Sequence, residues 1–219
     1  MRARRKLKRD IDVGTAELIV DVAEQIIEEK GIEGFRLQDI ADAIGIQFPS
    51  LYTHFKGKKE ILSSIIDRAI KTLAQDFIDT AGDSPDVLLR KGVNRQVIYF
   101  ASNIAQVRLL LLDFTTVAGL PEFNRVAGKP GTLEQEGGAL RPMLLRLDKI
   151  LRDGDRQGLF KATDATVFFH TMLGTILVRL ALTRPFPSAK SAPKSFNKLV
   201  TSMQSQIEEL AIDSVKRSA

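Results

Sequence analysis

Apolar residues recur at three- and four-residue steps along most of the chain. Between Thr15 and Lys30, Ala16, Ile19, Val20, Ala23, Ile26 and Ile27 form one stripe, with Asp21, Glu24, Glu28 and Glu29 off it. Gly31 is a natural stop. Leu37, Ile40, Ala41 and Ile44 predict a second, short helix over 37–44, closed by Gly45. A third is expected over 49–55, with Pro49 in its first turn, where a missing N–H costs nothing, and Gly57 beyond its end. From Lys59 a longer helix turns Ile61, Leu62, Ile65, Ile66, Ala69, Ile70 and Leu73 inward. The composition shifts at 81–85, which reads as a joint. Helices are then expected over 86–103, 105–118, 141–153, 165–182 and 195–215. Between them, 119–138 holds five glycines and two prolines and reads as an unusually long loop. No run alternates as a strand would, and no segment repeats. The expected fold class is all-α.

Composition narrows the chemistry. The chain has 219 residues, 44% of them apolar, enough for a substantial core. With no cysteine, disulfides, thiolate metal sites and cysteine nucleophiles are excluded. Two histidines, His54 and His170, leave little for a zinc site or an imidazole triad. His170, among Phe168, Phe169, Met172 and Leu173, reads as a core or interface histidine. Neither a phosphate-cradling glycine loop nor a G-x-S-x-G elbow is present, so no enzyme and no cofactor are expected. The net charge is +5, but the first nine residues carry six basic side chains and no acid, so the remainder carries 5 − 6 = −1. The excess is a tail, read either as a solubilising arm or as one laid along a polyanion. Acids at 10, 12 and 17 follow it in place of an apolar signal core. The longest uncharged apolar stretch, 165–178, falls short of the roughly 18 residues a bilayer needs. A cytoplasmic location without a membrane partner is expected.

The first three helices and the tight turn at Gly45 read as a helix-turn-helix. Ala41 is small where the helices would cross, and Ile46 and Leu51 can plug the seam. Gln47, Ser50, Thr53, His54, Lys56, Lys58 and Lys59 are left facing outward. The run Asp39-Ile40-Ala41, Ile44-Gly45-Ile46 and Leu51-Tyr52-Thr53-His54-Phe55-Lys56-Gly57-Lys58-Lys59-Glu60-Ile61-Leu62 resembles the TetR family of bacterial transcriptional regulators. The resemblance implies a basic arm at 1–11, a helix-turn-helix DNA-binding domain at 12–72, and a ligand-binding and dimerisation domain at 73–219. It implies DNA contact by Arg36, Gln38, Gln47, Phe48, Ser50, Tyr52, Thr53, His54 and Lys58, with Tyr52, His54 and Lys58 near phosphates. Arg36 stands where the family usually has a capping Thr or Ser. Gln47-Phe48-Pro49 replaces the usual small polar residues at the turn.

For the second domain the resemblance implies a small-molecule effector and a homodimer formed by the last two long helices. Candidate pocket residues are Phe100, Arg108, Phe114, Phe123, Met143 and Met172. Apolar candidates for the dimer seam are Val167, Phe168, Leu173, Ile176, Leu177, Leu180, Phe196, Leu199, Val200, Met203, Ile207 and Leu210, some of which must fill the monomer core instead. Asp153, Asp155, Gln157, Gly158 and Asp164 partly mimic a calcium loop, but Arg156 and Lys161 lie inside it, and a helix end with Leu159 or Phe160 packed back explains it better. No metal is expected. The expected function is a ligand-responsive regulator, acting as a repressor, that binds a two-fold double-stranded DNA operator. The alternative is a helical protein-interaction module that has lost DNA binding.

Overall fold

The computed structural model describes residues 2–75, 82–115, 139–183 and 192–217, with side chains omitted for 2–13 and 113–115. The stretch 119–138 and Phe123 lie outside the described residues, as do the side chains of the basic arm and of Phe114. Among the described residues the elements are α1 (Arg2–Gly34), α2 (Leu37–Ile44), α3 (Phe48–Leu51), α4 (Lys58–Leu73), α5 (Pro85–Ser102), α6 (Ile104–Thr115), α7 (Arg141–Arg156), α8 (Ala165–Leu182) and α9 (Pro193–Val215). The all-α expectation holds, with one isolated bridge between Phe160 and Lys216.

The largest departures from the expected boundaries are in α1 and α3. The backbone of α1 is helical from Arg2, well before the apolar stripe begins, and it breaks at Gly31 (φ 77°) before a last turn. The third helix is one turn long. After Leu51 the chain tightens into bonds three residues apart, Tyr52 N–H to Pro49 O at 3.2 Å, Thr53 N–H to Ser50 O at 3.2 Å and His54 N–H to Leu51 O at 3.1 Å. This 3₁₀-like winding carries the chain to Phe55.

α5 lies at the centre of the second half, against α6, α7, α8 and α9. Buried side chains from Ile19 to Val215 form one core that crosses the expected 72/73 boundary, with α6 lying against both α1 and α4. By length and composition α8 could cross a bilayer, a point that counting uncharged residues had missed, but half of it is buried in this core.

The false calcium loop ties α7 to the end of α9. Asp155 pairs with Arg217 at 2.7 Å, Asp164 caps α8 by accepting from the Val167 N–H at 2.9 Å, and the Lys161 N–H donates to Val215 O at 2.7 Å. Phe160, 1% exposed, packs against Gly154, where a Cβ would come within 2.0 Å of its ring.

Between α5 and α9, Glu208 accepts from Arg90 at 2.6 Å and from Asn94 at 2.5 Å. Burial alone would raise the Glu208 carboxyl, but the hydrogen bonds from Arg90 and Asn94 and the Arg90 charge outweigh it and hold the group below its ordinary value. A carboxyl depressed in the folded state stabilises above its unfolded pKa and loses that contribution as pH falls through the folded one. The gap in thermal midpoint between the wild type and Glu208→Gln should therefore be open at about pH 7 and narrow progressively at acid pH, below the ordinary glutamate value of about 4.3. An equal gap across that range would show that Glu208 acts only by shape.

Candidate nucleic-acid interface

The interface is built on a braced pair of short helices. Arg36 precedes α2 in extended conformation and makes no side-chain cap bond. Asp39 in the first turn complements the helix dipole instead and pairs with Lys30 at 3.1 Å. At the other end Gly45 adopts φ 71°, a left-handed value that favours glycine, and both its N–H and that of Ile46 return to Ala41 O. That closure fixes the turn. Ile40, Ala41, Leu51 and Phe55 are buried, with Phe35 beneath them, and Ile46 packs partly buried on the same core.

The opposite face is polar and open. Arg36, Gln38, Gln47, Ser50, Tyr52 and Thr53 are exposed, and Phe48 and His54 are half-buried. Gln38 Nε2 donates to Asp42 Oδ1 at 2.7 Å. Thr53 Oγ1 donates to Ser50 O at 2.7 Å, leaving its oxygen free to accept. The structure thus gathers eight of the nine candidate DNA contacts onto the α2 start, the turn and α3. Lys58 is the ninth, and its ammonium is turned onto α1. It donates to Ile32 O at 2.9 Å and to Phe35 O at 3.0 Å, and lies 5.1 Å from the centre of the Phe35 ring. Beside it, Glu60 in the first turn of α4 accepts from the Lys56 N–H at 2.5 Å, which ties down the chain entering the helix.

A polar cluster that sequence reasoning missed joins this domain to the rest. Arg68 on α4 pairs with Asp21 at 2.6 Å and Glu24 at 3.1 Å on α1. Glu24 also accepts from Gln106 Nε2 on α6 at 3.0 Å, and the Tyr99 hydroxyl on α5 donates to Gln106 Oε1 at 2.6 Å. Burial pushes the Tyr99 hydroxyl above its ordinary pKa, against the lowering effect of its bonds with Thr72 and Gln106. Gln106 is 1% exposed. Its signal was available, since it is a polar residue inside the apolar run that also holds Arg108. Arg108, singled out for its charge, donates from Nη1 to Ile27 O and to Glu28 O, capping the last turns of α1.

The other pocket candidates separate. Phe100, Met143 and Met172 are buried on α5, α7 and α8, three mutually packed helices. Arg108 instead lines an open cleft of about 760 Å³, with Glu29, Ile104, Leu111 and Leu180 among its other walls. On α8 and α9 most of the seam candidates fill the monomer core, among them Phe168, Leu173, Ile176, Leu177, Leu180, Val200, Met203 and Ile207. Of those candidates Val167 and Leu210 are exposed, and so are Val178 and Leu182 on α8, which the sequence reading did not single out.

Residues 19–75 match the family described as bacterial regulatory proteins, tetR family. Over 77 residues the chain is 34% identical to the class D tetracycline repressor protein of Escherichia coli, covering 34% of each. It thus spans about a third of the length of that relative. Among solved structures, the TetR family transcriptional regulator PfmR from Thermus thermophilus superposes with a TM-score of 0.59 at 25% identity, covering 87% of this chain and 97% of the other. The ketosteroid transcriptional regulator KstR2 of Mycobacterium tuberculosis does so with 0.61 at 18% identity, covering 93% and 96%.

Proposed function

The chain belongs to the tetR family of bacterial regulatory proteins through residues 19–75, and from that premise we propose that it is a dimeric, ligand-responsive repressor of transcription. The observation that carries the reading is the division of α3 and its flanks. Leu51 and Phe55 anchor the element in the core, while Gln47, Ser50, Tyr52 and Thr53 stand exposed along it. Such an element fits the major groove, with side-chain amides and hydroxyls for base edges and phosphates. Arg36 and Gln38 flank it at the start of α2, and His54 at its end.

Dimerisation through α8 and α9 is supported by the apolar side chains they leave in water, Val167, Val178, Leu182 and Leu210. A two-fold pairing would set two α3 elements about 34–36 Å apart, one turn of DNA. The effector reading places a small molecule in the second domain near Phe100, Met143 and Met172. It acts by binding better to the conformer in which the two α3 elements are misspaced; equal affinity for both conformers would release nothing. Since α6 touches both α1 and α4, a shift of α6 is the change that the DNA-binding helices would feel.

Selection of duplexes from a random pool by the full chain should return a two-fold sequence with half-sites about one turn apart. Tyr52→Ala should then weaken that duplex about tenfold at moderate salt, the loss of one charge-assisted contact to phosphate. Removing residues 2–9 should weaken binding to every duplex and flatten the dependence of log affinity on log salt. Selection of no sequence, together with unchanged affinity in Tyr52→Ala, would leave the protein-interaction reading in possession.

A further inference from the structure

The first turn of α3 carries an aromatic side chain that stands outside the main core. Phe48 is half-buried, yet it is not among the described side chains that pack onto the core. The ring it meets is that of Tyr52, one turn on, edge to face with centroids 5.4 Å apart and planes at 86°. Tyr52 is itself 49% exposed, and Pro49 between them is exposed. Leu51 and Phe55, which hold the same element to the protein, are 0% and 7% exposed. Two rings clamped in this way keep one position at little cost in side-chain freedom. The pair is therefore a preformed apolar surface, set among the side-chain amide of Gln47 and the hydroxyls of Ser50 and Thr53.

On an element aimed at a duplex, few groups suit such a surface. Phosphate oxygens and most base edges call for donors or acceptors, whereas the 5-methyl of thymine is an apolar group exposed in the major groove. We infer that Phe48, held in place by Tyr52, reads a thymine methyl in each half-site and so sets one base of the operator. The assignment rests on the DNA-binding reading above and adds to it the chemistry of one contact. Gln47, Ser50 and Thr53 remain for polar readout beside it.

The test uses the full chain and the duplex selected from the random pool. Each thymine of a half-site is replaced in turn by deoxyuridine, which removes the methyl and nothing else. Affinities are measured for the wild type, Phe48→Ala, Phe48→Leu and Tyr52→Phe, each checked for an unchanged thermal midpoint. One thymine, or two adjacent ones, should show a loss of about fourfold per half-site in the wild type, the worth of one buried methyl-sized group. That difference should vanish in Phe48→Ala and persist in Phe48→Leu and Tyr52→Phe. A half-site without thymine, uracil tolerated at every position, or a fourfold preference that survives in Phe48→Ala would each overturn the assignment while leaving DNA binding intact. If no duplex is selected at all, the DNA-binding reading falls and the assignment falls with it.

Discussion

Replacing Lys58 by methionine should lower stability by about 2–3 kcal/mol and leave the salt dependence of DNA affinity where it was. The stem of the side chain survives the exchange, and what goes is the ammonium that holds Ile32 O and Phe35 O. Ile32 lies in the last turn of α1 and Phe35 just past its end, where no further turn follows to satisfy their carbonyls. A hydrogen bond from a charged donor is worth about 1.5–3 kcal/mol, and because one part-buried ammonium serves both carbonyls and also lies over the Phe35 ring, its contacts together count for about as much as one such bond at full strength. For a chain of this size the thermal midpoint should drop by roughly 2–4 °C per kcal/mol. Resemblance alone assigns Lys58 to a phosphate, and loss of a phosphate contact would lower the slope of log affinity against log salt by about one. An unaltered melting curve with a reduced slope would restore that assignment. A shifted curve with an unchanged slope identifies Lys58 as the brace between α1 and α4.

Gly154→Ala should cost about 3 kcal/mol, the upper part of the range for overpacking a core, because its new methyl would sit 2.0 Å from the Phe160 ring. The same substitution should change sign once that ring is gone. In a Phe160→Ala background, itself destabilised by about 3–5 kcal/mol, Gly154→Ala should stabilise by about 0.5–1 kcal/mol, since alanine is the better residue inside a helix. Denaturant titration of the four proteins measures the coupling. A cost for Gly154→Ala that is the same with and without Phe160 would mean that the ring is not what requires a glycine there.

Much of this was legible in the sequence because it depends on local rules. The stripe from Ala16 to Ile27, the glycine at 45 and the split between Leu51 and its polar neighbours follow from helical periodicity and backbone sterics, and the structure keeps each of them. Phe160 folding back on Gly154 was one of two readings of the false calcium loop, and the other, Leu159, is 40% exposed. Partnership across long separations was not legible. Lys58 counts as one of a cluster of surface cations until the carbonyl of Ile32, 26 residues away, is placed beside it. Gln106 and Glu24, 82 residues apart, look unremarkable until α6 lies on α1. Sorting the apolar residues of α8 between core and surface likewise required the neighbouring helices, since Val167 and Phe168 are adjacent in the chain and opposite in burial.

The polar junction at Glu24, Arg68, Tyr99 and Gln106 bears on how this chain can be re-engineered. A joint sealed by oil alone tolerates a new partner of similar shape, but a buried amide such as that of Gln106 and the partly buried groups bonded to it demand their own counterparts. Residues 1–72 are therefore not a portable module. Transplanted onto a foreign effector domain, they would strand the Glu24 carboxylate without its amide donor and the ends of α1 without Arg108. A working hybrid regulator has to bring the face of α6 that carries Gln106 and Arg108 along with the DNA-reading helices, and a natural exchange of domains by recombination would face the same restriction.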